Sequence, residues 1–408
     1  MKSQVRREPL ALYFCIFIVF LTSMGLWIGW NERAKYIYAF FGICMIALIK
    51  VNHVRLNFSI RNKWSIILLI ISYTYIAYKD ELIGFRTPFA FYIPISVLIL
   101  IDTDDRVRCL NYIYKWYAYL LVPSIFIYLM VQSSGLPAFG RLLVNDNNVQ
   151  PLEYLWRENY IFYNYADFYE IRFNGPFIEP GHLGMMSAFL LLITGYRFKQ
   201  IHTWIIIVGI LLSMSLSGYM LALIGYVLYK CGQGYIKLKN IISFLIFLLL
   251  VVYIAFTYND GENLFYEMII SRLEPDEDTG FVGNNRVFGS IELYFITMFD
   301  DTKLLLFGYD NTVLEVLAES GSRGTGFTMW FVKYGLVGTI FASVFYVYYF
   351  FTSKSKKKAF TLLAFVIIMF WQRSYPFWFS WIICYVYGMM ILEQRLSGEE
   401  ERTLSKKN

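Results

Sequence analysis

The sequence predicts an all-α polytopic membrane protein of about 12 transmembrane helices, GT-C-like in layout, with two long outward loops. Three observations point there. Apolar residues fill 58% of 408 positions and charged residues only 16%, against about 25% charged in ordinary soluble domains. The apolar residues fall in runs close to the roughly 17–25 residues a spanning helix needs. Basic clusters recur after alternate runs, as they do in cytoplasmic loops.

The first run, 10–30, follows Lys2, Arg6 and Arg7. It is longer than a signal-peptide core and lacks an Ala-x-Ala cleavage site, so it reads as a retained helix. Runs 35–50 and 64–79 flank Lys50, Arg55, Arg61 and Lys63. Runs 84–101 and 112–132 are joined by a mixed-charge loop, 102–108, and lead into an outward loop over 133–180. Runs 181–196 and 203–215 are separated by Arg197 and Lys199. Ser215-Leu216-Ser217-Gly218 divides 203–215 from 217–230, and Lys230, Lys237 and Lys239 precede 241–257. The second outward loop, 258–325, has thirteen acidic and four basic residues between Asp260 and Arg323. Its apolar stretches 288–299 and 304–307 predict short helices. Runs 326–351, 359–372 and 376–392 complete the single transmembrane domain 1–392, with Lys354, Lys356, Lys357 and Lys358 after the first of them. A charged tail, 393–408, follows. Twelve spans put every basic cluster and both termini on one side, expected to be cytoplasmic.

The net charge of +6 belongs to those loops and implies no nucleic-acid partner. Five cysteines lie in or beside apolar runs, without metal or disulfide spacing. With only three histidines as well, no metal or other cofactor is expected.

Ionisable groups among apolar runs are functional candidates by default. The densest set is Arg172-Phe173-Asn174-Gly175-Pro176-Phe177-Ile178-Glu179-Pro180-Gly181-His182, where the chain re-enters the apolar phase. Pro180 suits the first position of a helix, which puts Glu179 at the cap and His182 in the first turn. Glu179 either caps the helix or acts chemically, and Glu is not a preferred cap. The positive end of the helix dipole favours a phosphate and a neutral, proton-accepting imidazole. Glu179 and His182 are therefore the candidate catalytic bases, and Arg172 and Asn174 candidate substrate-binding residues.

A second constellation spans the acidic loop: Asn285-Arg286, then Phe307-Gly308-Tyr309, then Arg323 before Gly324-Thr325-Gly326. Arg286 and Arg323 either pair with nearby carboxylates or grip phosphate oxygens, which a guanidinium fork fits well. Arg373 lies in a short outward turn with Tyr375 and Pro376 and can face the same cavity as Arg172. Lys333, about two turns inside its run, can snorkel to the interface. The aromatic series Tyr154, Trp156, Tyr160, Phe162, Tyr163, Tyr165, Phe168 and Tyr169 forms either an interfacial belt or a sugar-stacking groove.

These motifs in this order resemble the Wzy-type O-antigen and capsular polysaccharide polymerases and their O-antigen ligase relatives. The resemblance rests on Arg172-x-x-Gly175-x-x-x-x-Pro180 at a helix start, Asn285-Arg286, the Phe307-Gly308-Tyr309 element, and Lys333-Tyr334-Gly335-Leu336-Val337-Gly338. It covers roughly 165–350. It implies a metal-independent membrane glycosyltransferase that joins undecaprenyl-pyrophosphate-linked oligosaccharide repeat units at the outer face of the bacterial inner membrane. A flippase and a chain-length regulator are its implied partners, beside the lipid bilayer. Arg172 and Arg286 match the pyrophosphate-recognising arginines. Relatives often carry His-Asn where this chain has Gly324-Thr325-Gly326, which disfavours the first alternative, a ligase acting on lipid A-core. The second, a lipid-linked oligosaccharide flippase, would show related halves, and none are visible.

Overall fold

The computed structural model describes residues 8–30, 33–81, 87–145, 154–166, 171–233, 253, 257, 266, 270–271, 274–276, 280–281, 287–288, 291–319, 323–324 and 326–405. It is mostly helical. In chain order the first elements are α1 (Leu10–Ser23), α2 (Arg33–Val51), α3 (Ile60–Lys79), α4 (Ile93–Leu100, entered through a π turn at Pro88–Tyr92) and α5 (Thr103–Ser134). Strands β1 (Gly140–Asn145), β2 (Tyr154–Asn159) and β3 (Asn164–Tyr165) follow, then α6 (Pro180–Thr194), α7 (Ile201–Leu212) and α8 (Leu216–Gln233). The second loop holds β4 (Pro275–Asp276), β5 (Gly280–Phe281), β6 (Val287–Phe288), α9 (Ile291–Thr297), α10 (Thr302–Phe307), α11 (Asn311–Glu319) and β7 (Arg323–Gly324). The chain ends with α12 (Phe327–Phe351), α13 (Lys356–Gln372) and α14 (Phe379–Ser405).

Every predicted span holds a helix except 241–257, most of which lies outside the described residues. By length and composition α2, α5 and α12 are long and apolar enough to cross a membrane. Three boundaries differ markedly: α5 begins at Thr103, so most of 102–108 is helix rather than a loop; α14 runs on to Ser405, into the charged tail; and α1 ends early. The first helix stops at Ser23 rather than running to residue 30, because Gly25 takes φ +80°. Leu26 N then donates to Leu21 O and Gly25 N to Thr22 O, the paired bonds that close a helix on a left-handed glycine.

Helix α6 is the centre of the bundle. All of its side chains from Pro180 to Thr194 are buried, the pattern of a helix covered all round. Gly184 and Gly218 let it approach α8 closely; a Cβ on either would lie 2.9 Å from the other's Cα. Gly195 (φ +78°) ends it, with Tyr196 N returning to Leu191 O. The site described below sits at the opposite, N-terminal end of α6.

The two ends of the bundle differ in chemistry. At one, Arg61 reaches Glu393 (3.5 Å) and Tyr349 O (3.3 Å), and the buried Arg106 donates to Ile101 O at 2.6 Å. Tyr13 donates to Asp105 there at 2.8 Å. At the other end lie the 24–30 turn, both long loops and the 373–378 turn. Trp27 N donates to Pro176 O (3.2 Å) and Ser380 N to Ser23 Oγ (2.9 Å), tying these pieces together.

The first long loop contains an unexpected antiparallel sheet, order β1-β2-β3, with Gly140 opposite Asn159 and Glu158 opposite Tyr165. Trp156 is 61% exposed while Arg157 beside it is fully buried, as the period-two alternation of a strand requires. Tyr160 and Tyr163 belong to the core; Tyr163 stacks on Tyr160 and Phe173 and meets Tyr128 edge-on. They therefore serve as packing, not as a belt or a sugar groove. Tyr154, Phe168 and Tyr169 have no described side chains.

Candidate functional site

Pro180 opens α6 and Glu179 occupies its N-cap in extended geometry (φ −139°, ψ 145°), yet the Glu179 side chain caps nothing. Its carboxylate points instead to Arg373, with Oε2 2.5 Å from Nη2. Both side chains are nearly enclosed, at 8% and 10% exposure. Arg373 ends α13, its N–H bonded to Met369 O at 2.8 Å, and its extended backbone turns the chain away from the helix. The guanidinium lies across the first turn of α6. Gly181 makes that possible, since a Cβ there would be 2.5 Å from Nη2.

His182 completes the cluster. Its Nε2 lies 3.9 Å from Glu179 Oε2, and the residue is 4% exposed. Tyr375 and Trp378 stack in parallel at 4.1 Å. Both meet the imidazole edge-on, at 5.6 and 4.8 Å with interplanar angles of 88°. The 24–30 turn covers the imidazole from the other side, where a Cβ on Gly25 would be 3.5 Å from Nδ1. Trp30 of that turn bonds Gly25 O (2.8 Å) and takes the buried Arg157 guanidinium at 5.6 Å from its ring. The first-loop sheet is thus fastened over the site.

The arrangement puts one cation, one carboxylate and one imidazole in a low-dielectric pocket at the positive end of a helix. Such a site can bind an anion through Arg373 and the helix end. It can also accept a proton at His182, or at Glu179 once Arg373 turns elsewhere, because an adjacent guanidinium disfavours protonation of a carboxylate.

The other predicted residues divide. Arg172 is near enough to Tyr219 of α8 to act on it electrostatically. Tyr219 in turn packs with Met214 and Tyr266 against Ile270, so the second long loop reaches the start of α8. Asn174 is buried, and its Nδ2 donates to Phe177 O at 2.8 Å, closing the turn before α6. Tyr309 is also buried; its hydroxyl meets Thr297 Oγ1 at 3.0 Å within the α9–α12 cluster. Asn285 and Arg286 lie outside the described residues, but Val287 pairs with Gly324 and Phe288 with Arg323. The ladder thus aligns the chain next to Arg286 with Arg323, whose side chain is not described.

Lys333 is a correction. It does not snorkel but pairs with Asp80 at 2.8 Å, the Asp80 carboxylate also accepting from Tyr334 Oη at 2.9 Å. Asp80 is the partner that a cation inside a span calls for. Asn311 Nδ2 donates to Lys79 O (2.9 Å) and Glu81 Oε1 (3.0 Å), so the end of α3 holds both α12 and the second loop. Asp80→Ala should lower stability by about 1.5–3 kcal/mol, the usual worth of hydrogen bonds to charged groups. Lys333→Met in the same chain should recover part of it. Thermal melting in detergent checks this, and an unchanged melt in the single variant would mean the pair contributes nothing.

No family model matches the chain, and neither curated proteins nor solved structures give a match.

Proposed function

We propose that the protein is a metal-independent membrane glycosyltransferase that polymerises oligosaccharide repeat units carried on undecaprenyl pyrophosphate. The supporting observation is the enclosed Arg373–Glu179–His182 cluster at the N-terminus of the central helix. An acceptor hydroxyl oxygen bonds to the donor's anomeric carbon. The bond from that carbon to the pyrophosphate oxygen breaks, and its electron pair leaves with the pyrophosphate. The acceptor proton goes to His182 or Glu179. In this scheme the incoming pyrophosphate draws Arg373 toward itself, which returns basicity to Glu179 only when donor is bound. Arg172 and Arg286 supply further positive charge to the leaving group, each charge-assisted bond contributing about 1.5–3 kcal/mol.

On this reading the chain has twelve spans with both termini cytoplasmic. Cysteines placed at Asn147 and Asp278 should label from outside; labelling only after the inner membrane is permeabilised would invert the topology.

Arg172→Ala and Arg286→Ala should abolish long glycan while leaving the protein in the membrane. Arg→Lys should rescue poorly, since a point charge does not replace a bidentate fork. Normal long glycan from either alanine variant removes that residue from the site. A deletion strain separates the alternatives: single capped repeats indicate a polymerase, and absence of any repeat indicates a ligase.

A further inference from the structure

A narrow apolar cleft runs between α12 and α13. Ala342, Tyr346 and Val366 line it and Pro376 closes one end. Ser343 and Ile367 also line it, and both are exposed, so they form an open side on the helix surface. The polar groups of the cleft are already engaged. Tyr346 Oη donates to Pro376 O, and Ser343 Oγ donates to Thr339 O at 2.9 Å. A sugar or headgroup would lose its hydrogen bonds to water there without replacement. Only an apolar chain fits.

Pro376 also belongs to the turn that carries Arg373. Three residues span at most about 10–11 Å, so the closed end of the cleft lies within that distance of the Arg373 backbone. We propose that this cleft holds the isoprenoid chain of the lipid carrier whose pyrophosphate is taken by the Arg373–Glu179–His182 cluster. The inference rests on reading that cluster as a pyrophosphate site. The carrier enters sideways past Ser343 and Ile367, lays the first isoprene units between α12 and α13, and reaches the cluster with its head.

The test uses the purified full-length chain in phosphatidylethanolamine–phosphatidylglycerol nanodiscs. The probe is polyprenyl pyrophosphate bearing a diazirine on its second or third isoprene unit. Adducts are expected on peptides covering 342–347 and 363–367. Excess unlabelled polyprenyl pyrophosphate should suppress them, and phosphatidylglycerol should not. Ala342→Trp, which fills the floor, should reduce cleft labelling about tenfold, as loss of buried chain area implies. Should Ala342→Trp fail to fold, Ser343→Trp at the exposed rim should show the same reduction. Adducts confined to other helices, or equal suppression by phosphatidylglycerol, would overturn the inference. Specific labelling of the cleft by a protein that never extends glycan would leave the inference standing and remove the polymerase reading. Polymerisation with adducts only on other helices would do the reverse.

Discussion

Arg373→Ala is expected to destabilise the protein and stop turnover together, whereas Glu179→Gln with Arg373→Met should restore the stability alone. The ion pair joins side chains that are 8% and 10% exposed. Removing one partner of such a pair strands a charge and typically costs about 3–5 kcal/mol. Replacing both by neutral groups of similar volume is often neutral or favourable. Catalysis is not restored, since Gln cannot take a proton and Met cannot hold a phosphate. General-base assistance is commonly worth about 10²–10⁴-fold, and loss of the guanidinium adds to that. Melting temperature in detergent and polymerisation rate on lipid-linked repeat units should therefore separate in the double variant. A double variant that turns over within a few-fold of the natural chain would make the pair purely structural. His182→Asn refines the result. If it alone lowers the rate while Glu179→Gln in the natural background leaves it near normal, the imidazole is the base.

The second large effect is expected at Gly335. There α12 breaks, with φ +64° and ψ −163° inside an otherwise continuous helix. This is conformational space that costs side-chain-bearing residues about 1–3 kcal/mol. Space is lacking as well, because a Cβ at Gly335 would lie 2.5 Å from Leu306 O and 2.7 Å from Gly308 N. Gly308, at φ +74°, meets the Lys333 carbonyl from the other side. The two glycines let the end of α10 press directly onto the broken helix, where Tyr309 N donates to Val332 O at 2.9 Å. Gly335→Ala should straighten α12, release α9–α11 from its upper segment and open the polar grip of Asp80. The expected readout is rapid proteolysis within 291–319 and loss of glycan synthesis, with the rest of the bundle intact. Natural protease resistance in Gly335→Ala would show that the break is not needed to seat the loop.

Much of this was legible in the residues. Helix positions followed from the apolar runs, although only α2, α5 and α12 reach the length and apolarity a bilayer crossing needs. Glu179 and His182 stood out because an acid and an imidazole at a proline-initiated helix start are chemically expensive there. Their partner was harder to assign. Arg373 was visible as a cation in a turn, but nothing local says that the turn after α13 crosses the first turn of α6. Lys333 was visible for the same reason, but its partner Asp80, at the end of α3, was not. Asn174 and Tyr309, chosen as substrate contacts, also hold the fold. Asn before Gly-Pro is turn chemistry, and its amide closes the turn at Phe177. The sheet in the first loop was hidden because its aromatic density imitates an interfacial belt, while Arg157 sits inward on the strand.

Gly181 and Gly335 are both too crowded for a methyl group, yet they should behave differently under genetic selection. The neighbour of Gly181 is a side chain, the Arg373 guanidinium. A defect from Gly181→Ala can be relieved by any second change that shortens or re-aims that side chain, so intragenic suppressors should cluster around 369–376. The neighbours of Gly335 are the main chain at Leu306 and Gly308, and no codon change moves a carbonyl out of the way. A Gly335→Ala lineage should recover by reversion alone.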